Sequence, residues 1–293
     1  MALNCLNYTP EVLEAVRAQL RTLYDETSNK LDKVLYHRLQ EDDFELCRYI
    51  RRRQGRVQQS VDFLVSVLEW HKKNDIAELS VDSFPSEFLD YGGLYTLGHD
   101  VNGNVVLHIR VALFVKQPEL TELFKKYIIF WMRKADQDAA KNGNGWILIF
   151  DCTNAGIANA DIELPTFINS ILRDYFPYGQ QYILVVNLSW LLTAIKNVIY
   201  SFLPEIIRNR VKFCNTSNIT EHISLDNLPK YLGGSAASDL YRLKQSKPCN
   251  LDAFVEQGIL PLKPPELARL RKNFDKLRDA IQKEEMKETK TKT

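Results

Sequence analysis

The five cysteines (Cys5, Cys47, Cys152, Cys214, Cys249) form no C-x-x-C pair, and no histidine stands at metal-ligand spacing from any of them. That excludes the common zinc patterns and a disulfide framework, and leaves the cysteines as small buried apolar side chains. An excess of one charge is also missing: 38 Lys and Arg face 37 Asp and Glu, for a formal net charge of +1. Such a chain lacks the basic field of a non-specific nucleic-acid binder, so recognition of an anion has to be local. The first twenty residues have no apolar signal core and carry acids early, which points to the cytosol.

Sites for chemistry are equally scarce. There is no G-x-x-x-x-G-K-[ST], no G-x-G-x-x-G after an apolar run and no G-x-S-x-G, so neither a phosphate loop nor a hydrolase serine is present in a known form. Asp151, ending an apolar run, then reads as a turn or capping residue and not as a magnesium ligand. The histidines (His37, His71, His99, His108, His222) are isolated, as structural or solvated histidines usually are. The expectation is a protein that is not an enzyme, with no catalytic residue, cofactor or metal.

With 45% hydrophobic and 26% charged residues, the composition is that of an ordinary globular protein. The chain opens in helical periodicity: 10–23 repeats Leu13, Val16 and Leu20, 42–53 begins with two acids suited to a helix start, and 57–70 repeats Val61, Leu64 and Leu68. From residue 91 the pattern changes. Two β-rich runs, 94–97 and 105–114, flank Asn102-Gly103, a hairpin signal. Helices over 119–140, 161–176 and 190–203 then alternate with apolar strands over 146–150, 182–186 and 211–213. Continuous apolar strands separated by helices imply a buried, mainly parallel sheet in an α/β protein. The stretch 182–203 is about as long as a bilayer-crossing helix, roughly 20 residues. It holds Asn187, Ser189, Lys196 and Asn197, however, and reads as a strand followed by an amphipathic helix. A last helix places Leu267, Leu270, Phe274, Leu277 and Ile281 on one stripe, fit to fold back or to dock a protein partner.

Arg48, Arg51, Arg52, Arg53 and Arg56 form the densest basic cluster. It can serve a helix C-terminus or an anionic head group. At this point the residues resemble a known family. Leu46-Cys47-Arg48-Tyr49-Ile50-Arg51-Arg52-Arg53, the hairpin from Gly98-His99-Asp100 to Arg110, Phe150-Asp151 with Gly156, Asp174-Tyr175-Phe176-Pro177, Val186-Asn187-Leu188-Ser189-Trp190 and Leu228-Pro229 to Gly233-Gly234 are similar, block by block and in order, to the CRAL-TRIO family of retinaldehyde-binding and phosphatidylinositol-transfer type. The resemblance implies a helical lobe over 8–76, a lipid-binding α/β domain over 84–240 enclosing an apolar pocket, and an extension over 241–293.

It further implies a gated pocket that carries a lipid between membranes or presents it there, with peripheral attachment to endomembranes. The gate would be helix 190–203, with Trp190, Leu191, Ile195, Val198, Ile199 and Phe202 as gate and pocket residues. Thr193, Lys196, Asn197 and Tyr200 would lie elsewhere on that helix. Arg53, Tyr178 and Arg210 would meet the lipid head group. Gln54, Tyr178, Ile207 and Arg210 replace residues that the inositol-binding members carry, so no preference for phosphatidylinositol is expected. The alternative is a docking module that keeps the fold without transporting lipid.

Overall fold

The computed structural model describes residues 8–114, 116–141, 144–159, 163–177, 179–202, 205–236, 245 and 249–290. Helix α1 (Pro10–Thr27) carries its proline in the first turn, where a missing N–H breaks no helical bond. Helices α2 (Lys33–Glu41), α3 (Asp43–Arg52) and α4 (Val57–Lys73) complete a lobe with its own core, in which Val16, Leu20, Leu39, Leu46, Ile50 and Leu64 are wholly buried. The three helices read from the sequence are α1, α3 and α4, and α2 is an addition. Its nine residues give little more than two turns of periodicity. Its legible sign was Asp32, whose carboxylate caps the helix by accepting from the Leu35 amide at 2.7 Å, as Asp42 does for Glu45 at 3.1 Å.

Among the described residues the strands β1 (Leu94–His99), β2 (Val105–Arg110), β3 (Trp146–Asp151), β4 (Gln180–Val186) and β5 (Val211–Cys214) form one sheet in that order. β1 runs antiparallel to β2 and all other pairs are parallel. The fold class expected from the alternating pattern is therefore the one observed. The hairpin turn is organised by Asp100, whose carboxylate accepts from the Asn102 and Asn104 amides at 2.9 and 2.8 Å and from the Tyr182 hydroxyl at 3.0 Å. Side chains alternate between two buried faces: Leu107, Ile109, Leu148 and Ile183 on one, Val106, Ile147, Ile149 and Leu184 on the other. This double burial is why the strands read as unbroken apolar runs. β2 stops at Arg110, short of the expected 114, because the chain turns out of the sheet there. Asn159 holds the departing segment by donating to the Ala112 and Phe114 carbonyls at 3.1 and 3.0 Å.

The crossovers are α6 (Thr121–Lys141), α7 (Glu163–Asp174) and α8 (Trp190–Phe202) with the short α9 (Glu205–Arg208). Short helices α5 (Ser86–Asp90) and α10 (Leu251–Glu256) flank the sheet, and α11 (Pro264–Lys290) returns along it. The apolar stripe of α11 packs on the chain itself: Leu270 and Ile281 are buried, and Phe274 stacks on Tyr91 with ring centroids 5.5 Å apart. No helix among the described residues is long and apolar enough to cross a membrane. Cys47 and Cys152 are buried as expected, whereas Cys214 and Cys249 are partly exposed, and Cys5 lies outside the described residues.

Arg48 joins the helical lobe to the sheet. The residue is 1% exposed, and its guanidinium donates to Glu45 at 2.9 Å, to both Asp136 oxygens at 2.9 and 2.8 Å and to the Pro177 carbonyl at 3.0 Å. Trp146 donates to the same Asp136 carboxylate at 2.9 Å. Beside this node Trp70 stacks on Tyr175 at 3.8 Å. Replacing Arg48 by Met should cost about 3–5 kcal/mol in urea unfolding, because buried Asp136 loses its charge partner and buried Glu45 keeps only Arg38, at 3.2 Å. A loss below about 1 kcal/mol would contradict the role given to this node.

His71 and His108 are buried, and burial first of all holds both near pKa 3; Arg133 and Arg38 add to the effect at His71, and Arg110 at His108. The sign follows from proton binding. Between about pH 6.5 and 3 the unfolded chain binds protons that the folded chain refuses, so stability falls as pH drops through that window. The slope is about 1.4 kcal/mol per pH unit for each such histidine. His71→Leu should flatten the pH dependence of the unfolding free energy across this range, and an unchanged slope would contradict this assignment.

Candidate functional site

A cavity of about 290 Å³ lies between one face of the sheet, α6, α7, α8 and α11. Its floor is made by alternate strand residues Phe150, Ile183, Val185 and Val211. Phe124 from α6, Phe167 and Leu172 from α7 and Phe274 and Leu277 from α11 supply walls. The segment that leaves β2 adds Val111, Leu113 and Phe114. A space near the lower end of the usual ligand-pocket range of ~300–1,000 Å³ and walled so largely by apolar side chains suits a hydrophobic guest. Its polar members gather mostly at the N-terminal ends of α6 and α7. There Glu163 accepts from Lys116 at 2.8 Å and lies 3.8 Å from Lys125, which also pairs with Glu122 at 2.9 Å. In the wall, Asn169 Oδ1 is buried without a hydrogen-bond partner among the described residues.

Helix α8 covers the cavity, entered through a tight corner. Asn187 adopts a left-handed φ of 53°. Its amide donates to the Thr153 and Thr216 hydroxyls, both at 2.8 Å, and accepts from the Thr216 N–H at 3.0 Å. Three strand ends are thus tied together just before α8 begins. Asp151 serves the same rim as a turn residue, accepting from the Thr153 amide at 2.9 Å and its hydroxyl at 2.5 Å.

Leu192, Lys196 and Tyr200, four residues apart and so on one helix face, line the cavity. Of the six residues expected at the gate, Trp190 and Val198 point away, with 82% and 42% of their surface exposed. The side chains of Leu191, Ile195, Ile199 and Phe202 lie outside the described residues. Lys196 and Tyr200, which the sequence reading placed elsewhere on the helix, face inward together with Leu192. Apolar residues occur all round this helix, so periodicity alone did not select the inner face.

The expected head-group residues are not brought together. Arg53 stands half-buried over the Phe63 ring at 4.4 Å, within the helical lobe. Arg210, just before β5, donates to the Gln180 carbonyl at 3.4 Å. Neither is part of the cavity wall, and Tyr178 lies outside the described residues. Arg48 leaves the basic cluster altogether, since its charge is consumed in the interior. Sequence reasoning also missed the wall built by α11, for which the stripe carrying Phe274 and Leu277 was the available signal.

Residues 89–234 match the CRAL/TRIO domain. The chain belongs to the CRAL-TRIO family. The family is one of lipid-binding and lipid-transfer proteins. This CRAL-TRIO chain is 21% identical over 195 residues to human tyrosine-protein phosphatase non-receptor type 9, covering 66% of this chain and 33% of that one. It therefore spans about a third of the length of that relative. It is 24% identical over 219 residues to the Sec14 cytosolic factor of Schizosaccharomyces pombe, covering 66% of this chain and 75% of the other. The crystal structure of Sfh5 superposes with a TM-score of 0.61 at 15% identity, over 86% of this chain and 98% of that one. That likeness bears on the fold alone.

Proposed function

We propose that this protein binds one lipid in the cavity under α8 and carries it between membranes or presents it at a membrane surface, without catalysing a reaction. The observation that supports this best is the apolar cavity itself, lined on one side by a helix whose outer face exposes Trp190 and Val198. An exposed tryptophan is suited to the bilayer interface. Its contact with lipid would favour opening of α8, while the Asn187 corner supplies the pivot. In this reading residues 84–240 hold the lipid, 8–76 brace them through Arg48, and 241–293 add the α11 wall. The protein would work in the cytoplasm, meeting endomembranes transiently; the name of the Sec14 cytosolic factor accords with such a location. Because Arg53 and Arg210 stand off the cavity wall, a head-group role for them requires a lipid whose head reaches out of the cavity.

The alternative of a docking module rested on the stripe from Leu267 to Ile281. Leu270 and Ile281 are buried within the chain's own fold, and Phe274 and Leu277 face the cavity, so that stripe is already occupied. Native mass spectrometry of the purified protein should find one co-purified lipid per chain, and solvent extraction should identify it. Leu192→Asp, which places a charge on a buried face of the lid, should purify without lipid and with unchanged helical circular dichroism. An empty wild-type protein, or equal lipid content in the variant, would overturn the proposal.

A further inference from the structure

Helix α8 exposes Trp190, Thr193, Asn197, Val198 and Ser201 and turns Lys196 toward the apolar cavity beside Leu192 and Tyr200. A lysine on the face that meets an apolar cavity calls for an explanation. Among the described residues, three lysines but a single glutamate line the cavity. That glutamate, Glu163, is engaged with Lys116 at 2.8 Å and faces Lys125 at 3.8 Å. Lys196 has no carboxylate partner among the described residues. Its ammonium is met by π faces instead, with the Phe213 centroid at 5.1 Å and that of Tyr200 at 6.0 Å. Ring faces attract a cation but accept none of its three N–H bonds, which are left to water or a ligand at this part-buried position.

We propose that Lys196 binds the anionic oxygens, carboxylate or phosphate, of an acidic amphiphile held in the cavity under α8. This inference rests on the lipid-cavity reading and names the class of lipid. The apolar chain is buried against the floor of Phe150, Ile183 and Val185, and the anion supplies the acceptors that Lys196 lacks. Binding then joins the ligand directly to the lid, so an acidic guest also holds α8 closed. A neutral lipid of the same shape fills the floor but leaves the ammonium unpaired. The head group is thereby located on the lid and not at Arg53 or Arg210.

The test uses the full chain, stripped of lipid, at neutral pH and below the aggregation threshold of each probe. Palmitic acid is compared with palmityl alcohol, and phosphatidic acid with diacylglycerol, on wild type, Lys196→Met and Lys196→Arg. Wild type should bind at least one acid about tenfold more tightly than its neutral counterpart, the size of a charge-assisted hydrogen bond. Lys196→Met should remove that preference by weakening the acid while binding the neutral probe at least as tightly as wild type, and Lys196→Arg should keep it. Preference confined to palmitic acid identifies a carboxylate ligand; preference confined to phosphatidic acid identifies a phosphate. If the methionine variant folds poorly, shown by loss of neutral-probe binding, Lys196→Gln replaces it. Acid preference that survives in the neutral variants, or that is absent from wild type, overturns the proposal. Failure of all four probes to bind wild type would instead sink the lipid-cavity reading and this inference with it.

Discussion

The Arg48 guanidinium is held in the interior by Asp136, Glu45 and the Pro177 carbonyl, and the geometry of the α/β half depends on that arrangement. Asp136 sits on α6, the helix that supplies Phe124 and Tyr127 to the cavity. Trp146, which shares the Asp136 carboxylate, begins the strand whose later residue Phe150 forms part of the floor. Pro177 belongs to the turn that delivers β4. A side chain at Gly179 would place its Cβ 1.9 Å from Asp136 Oδ1 and 2.8 Å from Arg48 Nη2, so the turn can close on the ion pair only with glycine there. A buried charge with complete hydrogen bonding adds less net stability than its bond count suggests, but it penalises every alternative docking of the two lobes. Lobe, crossover helix and cavity floor are thereby set in one register.

The cavity runs against the tendency of protein interiors to pack as densely as organic crystals. About 290 Å³ of largely apolar space is a poor host for water, which needs about two to four polar partners. The other sheet face, where Val106, Ile149 and Leu184 meet Ile219, Ile223 and Leu228, is closely filled by the same chain. The contrast between the two faces supports the proposal that the void receives a guest. It also accounts for the aromatic walls, which offer large rigid surface with few rotatable bonds to order on binding.

Much of the architecture was legible from periodicity, because strands buried on both faces and long crossover helices leave strong patterns. The Asn102-Gly103 hairpin and the 146–150 and 182–186 runs fell within a residue or two of the observed strands. Short α2 escaped, since nine residues carry little periodic signal and its marker was a single capping aspartate. The site was less legible. The arginine cluster looked uniform in one dimension, yet Arg48 points inward while Arg53 covers a ring at the lobe's surface. On α8, apolar residues on all sides concealed which face meets the cavity, and the informative residue was a lysine set aside as polar. The α11 stripe was seen, but whether it would fold back depended on tertiary contacts to Tyr91 and Phe88, which sequence spacing does not contain.

The central claim is that the cavity is a ligand site with α8 as its lid and α11 as a fixed wall. Hydrogen–deuterium exchange of the full chain, stripped of lipid and then reloaded with its own extracted lipid, tests this most directly. The account predicts slower exchange on loading in α8 and in the part of α11 around Phe274 and Leu277, with α1, α2 and α4 unchanged. Uniform slowing across both lobes, or no change in α8, would contradict it.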